Sequence, residues 1–424
     1  MRQITAVLIG AGNRGGAYAS YALQFPHELK LVAIADPNES RSGAFAQKHG
    51  IPQNQVYSTW EDVMVQPQLA DVAIITTQDS MHYAPAISAL EKGYHVLLEK
   101  PMSPKPEECI RMEEAAEKHY RQLSVCHVLR YTPFWSGIKK IVDRGDIGEI
   151  VSLQQNENVG NLHMAHSFVR GNWRNSDVSS PMILAKSSHD MDIISWLVGK
   201  PCTRISSFGS LMHFRKEHAP EGATEYCLDG CPVYSQCPYY APKYYLDKDE
   251  SSLKIITDDT SREGVLQALR TGPYGKCVYN TDNNVVDHQV VNLEFRGGAT
   301  ATFSMCGFTQ DTSRSVQIMG TKGEIRGYSA ESKFTVYDFL TKDKTEIRIE
   351  KPKSGHGGGD AGIIKNFLHE IRHYDGKQSL TSAKVSVESH MMAFAAETSR
   401  KNHGESIDLI QFKAQQKNEV NASR

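Results

Sequence analysis

IGAGNRGGAYAS, residues 9–20, closes the apolar run that starts at Ile4 and sets Gly10, Gly12 and Gly15 at the head of an Ala-rich, helix-patterned stretch. Strand, G-x-G-x-x-G and helix together frame a dinucleotide-binding turn, and Asp36 ends the next apolar run, LKLVAIAD, where the acidic partner of such a turn belongs. Each position has a physical task. Gly10 permits the tight turn, Gly12 lets the backbone approach a pyrophosphate, and Gly15 allows close helix packing. The helix N-terminus adds unpaired N–H groups and a dipole that favours phosphate. The Asp36 carboxylate suits both adenosine ribose hydroxyls and repels a 2′-phosphate, which favours NAD over NADP. Arg14 and Arg41 lie near enough in sequence to weaken that preference.

Through about residue 125, the β-rich runs ITAVLIG, LKLVAIAD, DVAIITT, YHVLLEK and LSVCHVL alternate with helical patterns near SRSGAFAQKHG, YAPAISALEKG and PEECIRMEEAAEKHYR. That alternation predicts βαβ units and a doubly wound parallel sheet with helices on both faces. The pattern changes after Tyr131. EIVSLQQNENV reads as a strand and SSHDMDIISWLVG as a helix. Three hairpins follow, VVNLEF-RGG-ATATFSM, SVQIM-GTKG-EIRGY and KFTVYDF-LTKDK-TEIRIE, then a terminal helical pair, IIKNFLHEIRHY and VSVESHMMAFAAETSRK. The expected class is therefore α/β: a Rossmann domain over residues 1–126, then an α+β domain with a mainly antiparallel sheet over 127–424, interrupted by a Tyr-, Pro- and Cys-rich insertion at about 211–281.

A chain of 424 residues exceeds what one core usually organises, which agrees with two domains. A net charge of −2, with 40% hydrophobic and 23% charged residues, gives no electrostatic reason to expect nucleic acid. The N-terminus lacks the pattern of a secretory signal, and no run approaches the roughly 20 apolar residues that span a bilayer. The expectation is a cytoplasmic protein with no membrane partner, its eight cysteines mostly reduced.

Glu99-Lys100-Pro101, at the end of the strand YHVLL, joins GAGNRG, TTQDSMH and HVLRYTPFW in a recognisable set. With these motifs the chain resembles the glucose-fructose oxidoreductase and inositol dehydrogenase family, Gfo/Idh/MocA. The resemblance implies an open-faced sheet in the second domain and a nicotinamide meeting a sugar or polyol between the domains. It places Gly10, Gly12, Asn13, Arg14, Gly15, Asp36, Thr76, Thr77, Gln78, His82, Glu99 and Lys100 at the coenzyme. It also aims Lys100 at the reacting carbon. The residue itself agrees, because a lysine at the carboxyl end of a buried strand lies where open sheets bind ligands and can stabilise a developing alkoxide.

Many dehydrogenases of that family carry an aspartate four residues before a catalytic histidine. Here the histidine is His189 and that position is Ala185. Lys186, three residues before His189, is expected to fill the vacated space on the same helical face. His189, with an ordinary pKa of about 6.5, is the expected general base, and Lys186 an electrostatic or substrate-positioning group. Asp190 and Asp192 are read as first-turn residues favoured by the helix dipole.

Upstream, NVGNLHMAHSFVRGNWRNS reads as a loop dense in groups suited to a hydroxyl-rich ligand: His163, His166, Arg170, Trp173 and Arg174. SGHGGGD, residues 354–360, is a second glycine-rich turn without a βαβ frame; His356 and Asp360 are its candidates for approaching substrate. Cys227, Cys231, Cys237 and Cys277 have a density compatible with structural zinc, although the usual C-x2-C knuckles are absent. Cys109, Cys126, Cys202 and Cys306 read as core residues.

Together these readings describe an NAD-dependent oxidoreductase that interconverts a secondary alcohol of a sugar, glycoside or cyclitol with its ketone, working as a homodimer or homotetramer. Two alternatives remain open from the sequence: a glycoside hydrolase using NAD in transient redox, and a non-catalytic NAD-binding sugar sensor.

Overall fold

The apolar runs of the first domain lie side by side because they are buried on both faces and leave no polar side for water. The computed structural model describes residues 2–350, 355–376 and 379–422. Its first sheet contains β1 (Ile4–Ile9), β2 (Leu29–Ala35), β3 (Val56–Tyr57), β4 (Val72–Ile75), β5 (His95–Leu98) and β6 (Leu123–Val125), all parallel in the order β3-β2-β1-β4-β5-β6. The order reverses between β1 and β4. The crevice beyond the carboxyl ends of those two strands is where such sheets bind ligands, and β1 feeds helix α1 (Asn13–Gln24) there.

The second sheet contains β7 (Ile150–Asn158), β8 (Cys202–Ser210), β9 (His288–Phe295), β10 (Thr300–Cys306), β11 (Ser313–Gly320), β12 (Gly323–Tyr328), β13 (Lys333–Asp338), β14 (Lys344–Arg348) and β15 (Ile407–Asp408). Only β7 and β10 pair in parallel within the order β14-β13-β12-β11-β7-β10-β9-β8-β15. One face is packed under helices, including α2 (Ser188–Val198) and α4 (Ala383–Lys401). The other face is open and polar, with Gln154, Asn156, Thr300 and Thr302 exposed. The expected fold class, with its parallel and mainly antiparallel sheets, is the one observed. Helix α3 (Gly359–Arg372) returns to the first sheet, where Ile363, Ile364 and Phe367 share a core with Ile4 and Leu8. The sequence reading did not include the last helix, Leu409–Ala422.

Two expectations change. The presumed loop after β7 is a helical turn, Asn161–Met164, continued by a π-helical turn, Ala165–Arg170. Its polar side chains largely serve to hold the insertion. The buried Arg170 guanidinium donates to the carbonyls of Lys276 at 2.7 Å and Tyr239 at 2.8 Å and to Cys227 Sγ at 3.5 Å. His166 bonds the Tyr245 hydroxyl at 2.9 Å and stacks on Tyr274.

Zinc is the second correction. Cys227, Cys231, Cys237 and Cys277 are free thiols lining one small cavity with Arg170. Among the described residues, however, no three His, Cys, Asp or Glu side chains are arranged to hold a metal ion. Cys227 Sγ instead accepts N–H groups from Arg170 and from Ala241, the latter also at 3.5 Å. The segment is ordered by its own apolar cluster, in which Ala241, Tyr245, Leu253, Val265 and Leu269 are buried. Substituting Arg170→Ala leaves two buried carbonyls without their donor. The expected cost is about 3 kcal/mol in urea denaturation, together with earlier proteolytic cleavage within residues 211–281; unchanged stability and cleavage would contradict this anchoring role.

Candidate active site

The glycine turn has the shape its sequence requires. Gly10 adopts φ +95°, and a Cβ there would stand 2.8 Å from the Thr76 carbonyl oxygen. A Cβ on Gly15 would overlap the Gly10 carbonyl, whereas one on Gly12 would meet no heavy atom within 4 Å. That open space lies at an α1 N-terminus with no side-chain cap, a combination that fits a pyrophosphate. Asp36, 4% exposed, accepts from the Ala11 N–H at 2.7 Å and the Asn38 N–H at 3.0 Å. Its carboxylate therefore stands beside the turn, as an adenosine ribose requires. Arg41 approaches it at 3.4 Å.

Thr76 ties β4 to the turn by donating its hydroxyl to the Gly10 carbonyl at 2.6 Å. His82 bridges Pro101 O at 2.7 Å and Thr77 O at 3.1 Å, holding the loops after β4 and β5 together. Thr77 Oγ1 donates to Met81 O, while Gln78 leads into the short turn Asp79–Met81. Asn13 opens α1.

Arg14 is not free for a 2′-phosphate. It pairs with Glu99 at 2.6 Å and Asp360 at 2.7 Å and donates to the Tyr18 hydroxyl at 2.6 Å. Burial would raise the Glu99 carboxyl, but Arg14 and Lys100 outweigh it and hold it below the usual range. The Asp360 carboxyl is likewise held low, with His356 and Arg14 outweighing its burial.

Lys100, which follows Glu99, donates its ammonium to the Ala185 carbonyl at 2.6 Å. Burial lowers its pKa, opposed by the charges of Glu99 and Asp79. Trp173 lies beside it, with Lys100 Nζ 6.0 Å from the ring centroid and the indole N–H donating to Asp79 at 3.2 Å. Asp79 is 5% exposed, and its second carboxylate oxygen has no partner. The sequence reading passed over Asp79 although it lies inside the quoted TTQDSMH.

His189, in the first turn of α2, is 7% exposed and its Nδ1 has no hydrogen-bond partner. Burial, then the nearby Lys100, drives its pKa well below the ordinary value, so the imidazole is neutral. His163, pushed down to about 3 by burial and by Lys186, His166 and Lys100, is neutral as well.

Lys186 does not share α2 with His189 as the sequence suggested. It occupies the break between the short helix Met182–Ala185 and α2, where its ammonium pairs with the buried Glu157 at 3.2 Å. Glu157 and Arg314 face each other in the β7/β11 register and pair at 2.5 Å. Arg314 also grips Asp190 at 2.8 Å, and Gln155 donates to the same carboxylate. Asp192 is held bidentate by Arg130, with both contacts at 2.7 Å. Both aspartates are thus buried ion-pair partners rather than dipole ornaments.

The structure gathers Lys100, Lys186, His163, Trp173, Asp79 and His189 around the crevice. His166 and Arg170 are committed to the insertion, and Arg174 pairs with Asp282 at 2.5 Å. Within SGHGGGD, Ser354 lies outside the described residues; His356 and Asp360 sit against Arg14. Among the described residues, no helix is long and apolar enough to cross a membrane.

Comparisons with known proteins match both domains. Residues 4–127 match the oxidoreductase family's NAD-binding Rossmann fold, and residues 139–404 match its C-terminal alpha/beta domain. The Bacillus subtilis oxidoreductase YteT is 27% identical over 332 residues, covering 74% of this chain and 76% of that protein. From the same organism, scyllo-inositol 2-dehydrogenase (NAD(+)) is 26% identical over 278 residues, covering 64% of this chain and 69% of its own. A levoglucosan dehydrogenase solved with NADH and L-sorbose shares the fold at TM-score 0.72 and 18% identity, covering 96% of this chain and 99% of its own. With both domain matches in chain order over most of its length, this protein belongs to the Gfo/Idh/MocA family of NAD-binding oxidoreductases.

Proposed function

We propose that the protein is an NAD-dependent dehydrogenase that oxidises a secondary alcohol of a sugar, glycoside or cyclitol to a ketone. The observation that carries this reading is a half-buried Lys100 ammonium, just beyond the carboxyl end of β5, near enough to a neutral His189 to act on its charge, with His189 Nδ1 unpartnered. Names of relatives that act on inositol and levoglucosan support the substrate class.

When bound, the coenzyme supplies a nicotinamide that accepts hydride. The protein's own residues position the alcohol and manage its proton. Lys100 donates a hydrogen bond to the reacting oxygen and stabilises its developing negative charge. His189 takes the hydroxyl proton, since its imidazole is neutral at working pH and so offers a nitrogen lone pair. The Trp173 face suits the C–H side of a ring, while the free Asp79 oxygen and Lys186 suit neighbouring hydroxyls. Asp36, together with the engagement of Arg14 by Glu99 and Asp360, favours NAD over NADP. The open polar sheet supports assembly into a homodimer or homotetramer, and the eight free cysteines fit a reducing cytoplasm.

The test is a panel of polyols, sugars and aryl glycosides incubated with NAD, following reduced coenzyme and released aglycone together. NADH formed in step with a ketone is the expected outcome; aglycone without NADH would favour transient-redox hydrolysis, and neither product would leave the sensor reading. Lys100→Met is expected to lower kcat about 100-fold or more, and full turnover in that variant would overturn the catalytic assignment.

The pH profile follows from the two shifts. His189 lies well below its ordinary 6.5 and stays neutral on the acid side, so oxidation is expected to hold level down through pH 6.5. Lys100 loses its proton below its ordinary 10.5, so the basic limb begins under that value and disappears in Lys100→Met. An acid limb centred on 6.5 would contradict this assignment.

A further inference from the structure

A proton delivered to His189 must leave before the next turnover, and the two sides of the ring differ in what they offer. On the inner side stands His127, fully buried, with ring centroids 6.0 Å apart and neither of its nitrogens hydrogen-bonded. Behind it, Asp192 is occupied by Arg130, and His390 uses both nitrogens, accepting from the Met102 N–H at 2.9 Å and donating to Ser386 O at 2.7 Å. That side is a closed end. A proton passed inward would stop at His127, whose Nε2 lies 3.9 Å from the Asp192 oxygen that Arg130 already holds, with His390 fully buried behind it.

On the outer side stands His356, its ring centroid 6.4 Å from that of His189 and its side chain 42% exposed. It lies in the short turn His356–Gly358 that leads into α3. Its Nδ1 lies 3.1 and 3.2 Å from the two Asp360 oxygens, and Arg14 approaches the same nitrogen at 3.3 Å. A tautomer with Nδ1–H donating to Asp360 leaves Nε2 as a proton acceptor. The groups facing His356 are thus Asp360, Arg14 and His189. Ring centroids 6.4 Å apart leave the two imidazoles close enough for proton transfer directly or through one water.

We propose that His356 is the proton outlet of the active site, carrying the alcohol proton from His189 to bulk solvent; this rests on the dehydrogenase reading above. The balance is simple. The C–H bond breaks and its electron pair leaves as hydride to NAD+, the O–H bond breaks and its proton goes to His189, and the carbon–oxygen double bond forms. The products are ketone, NADH and one proton, which passes through His356 to water. Because Asp360 also grips Arg14 of the glycine turn, the outlet residue is held on the same support as the coenzyme loop. His356 does not touch the reacting atoms in this scheme. Its function is exercised through His189.

The test uses His356→Ala and His356→Gln in the full-length protein, with the most active substrate of the panel. Glutamine retains a hydrogen-bond donor toward Asp360 but cannot shuttle a proton. In dilute, non-transferring buffer both variants are expected to lose about tenfold or more in kcat, and added imidazole restores the alanine variant in a saturable way while leaving wild type unchanged. Without coenzyme or substrate, NMR of 15N-histidine protein is expected to show His189 N–H exchange with water slowed several-fold in the alanine variant. Wild-type turnover by both variants at low buffer, or a loss in the alanine variant that imidazole does not restore, overturns the outlet while leaving the dehydrogenase reading intact. A wild-type protein that reduces no NAD with any member of the panel overturns both.

Discussion

Arg14 is the point at which three separately coded parts of the molecule meet. Its guanidinium, projecting from the glycine turn, is clamped between Glu99 and Asp360. Glu99 immediately precedes Lys100, and Asp360 opens the helix that carries the second half of the chain back onto the Rossmann core. A part-buried cation between two carboxylates is stable only when both partners are in place, because losing one leaves a desolvated charge. The glycine turn, the strand end that carries Lys100 and the His356 turn are therefore tied together by one electrostatic junction. Engaging Arg14 there also commits its guanidinium to two protein carboxylates.

A second buried network lies in the other domain. Glu157, Asp190, Arg314 and Lys186 form a charge-paired cluster, with Gln155 completing Asp190 and Arg314 near enough to act on His189. Lys100 finds a backbone carbonyl at Ala185, and the adjacent Lys186 is stationed by Glu157 from another element. Burial, with Lys100 and Arg314 nearby, keeps the His189 imidazole neutral.

What could be read from the sequence was what is local in the chain. The glycine turn, Asp36 and Lys100 lie at strand ends, where a short stretch determines both conformation and position in the sheet. The hairpins were legible because period-two burial and turn residues coincide, as in β9 and β10. Contacts made by distant segments were not. Glu157 and Arg314 meet only through sheet register, although the buried Gln155 and Glu157 on the inward side of a strand were the available signal. Composition alone misread the stretch after β7: Arg170 resembles a ligand residue until its partners at Tyr239 and Lys276, far along the chain, are known. The four cysteines misled for a related reason, since their convergence on one cavity is real but their arrangement is not that of a formed metal centre. Asp79 lay within a motif already singled out, yet its importance depends on Trp173 and Lys100 arriving beside it.

The measurement that bears most directly on the central claim is the fate of the carbon-bound hydrogen. With a polyol or sugar deuterated at its ring carbons and NAD in excess, mass spectrometry of the coenzyme and product follows that atom alone. The account predicts one deuterium in each reduced nicotinamide and one ketone formed for each. Deuterium retained in the carbohydrate, or lost to water without stoichiometric reduced coenzyme, would contradict it.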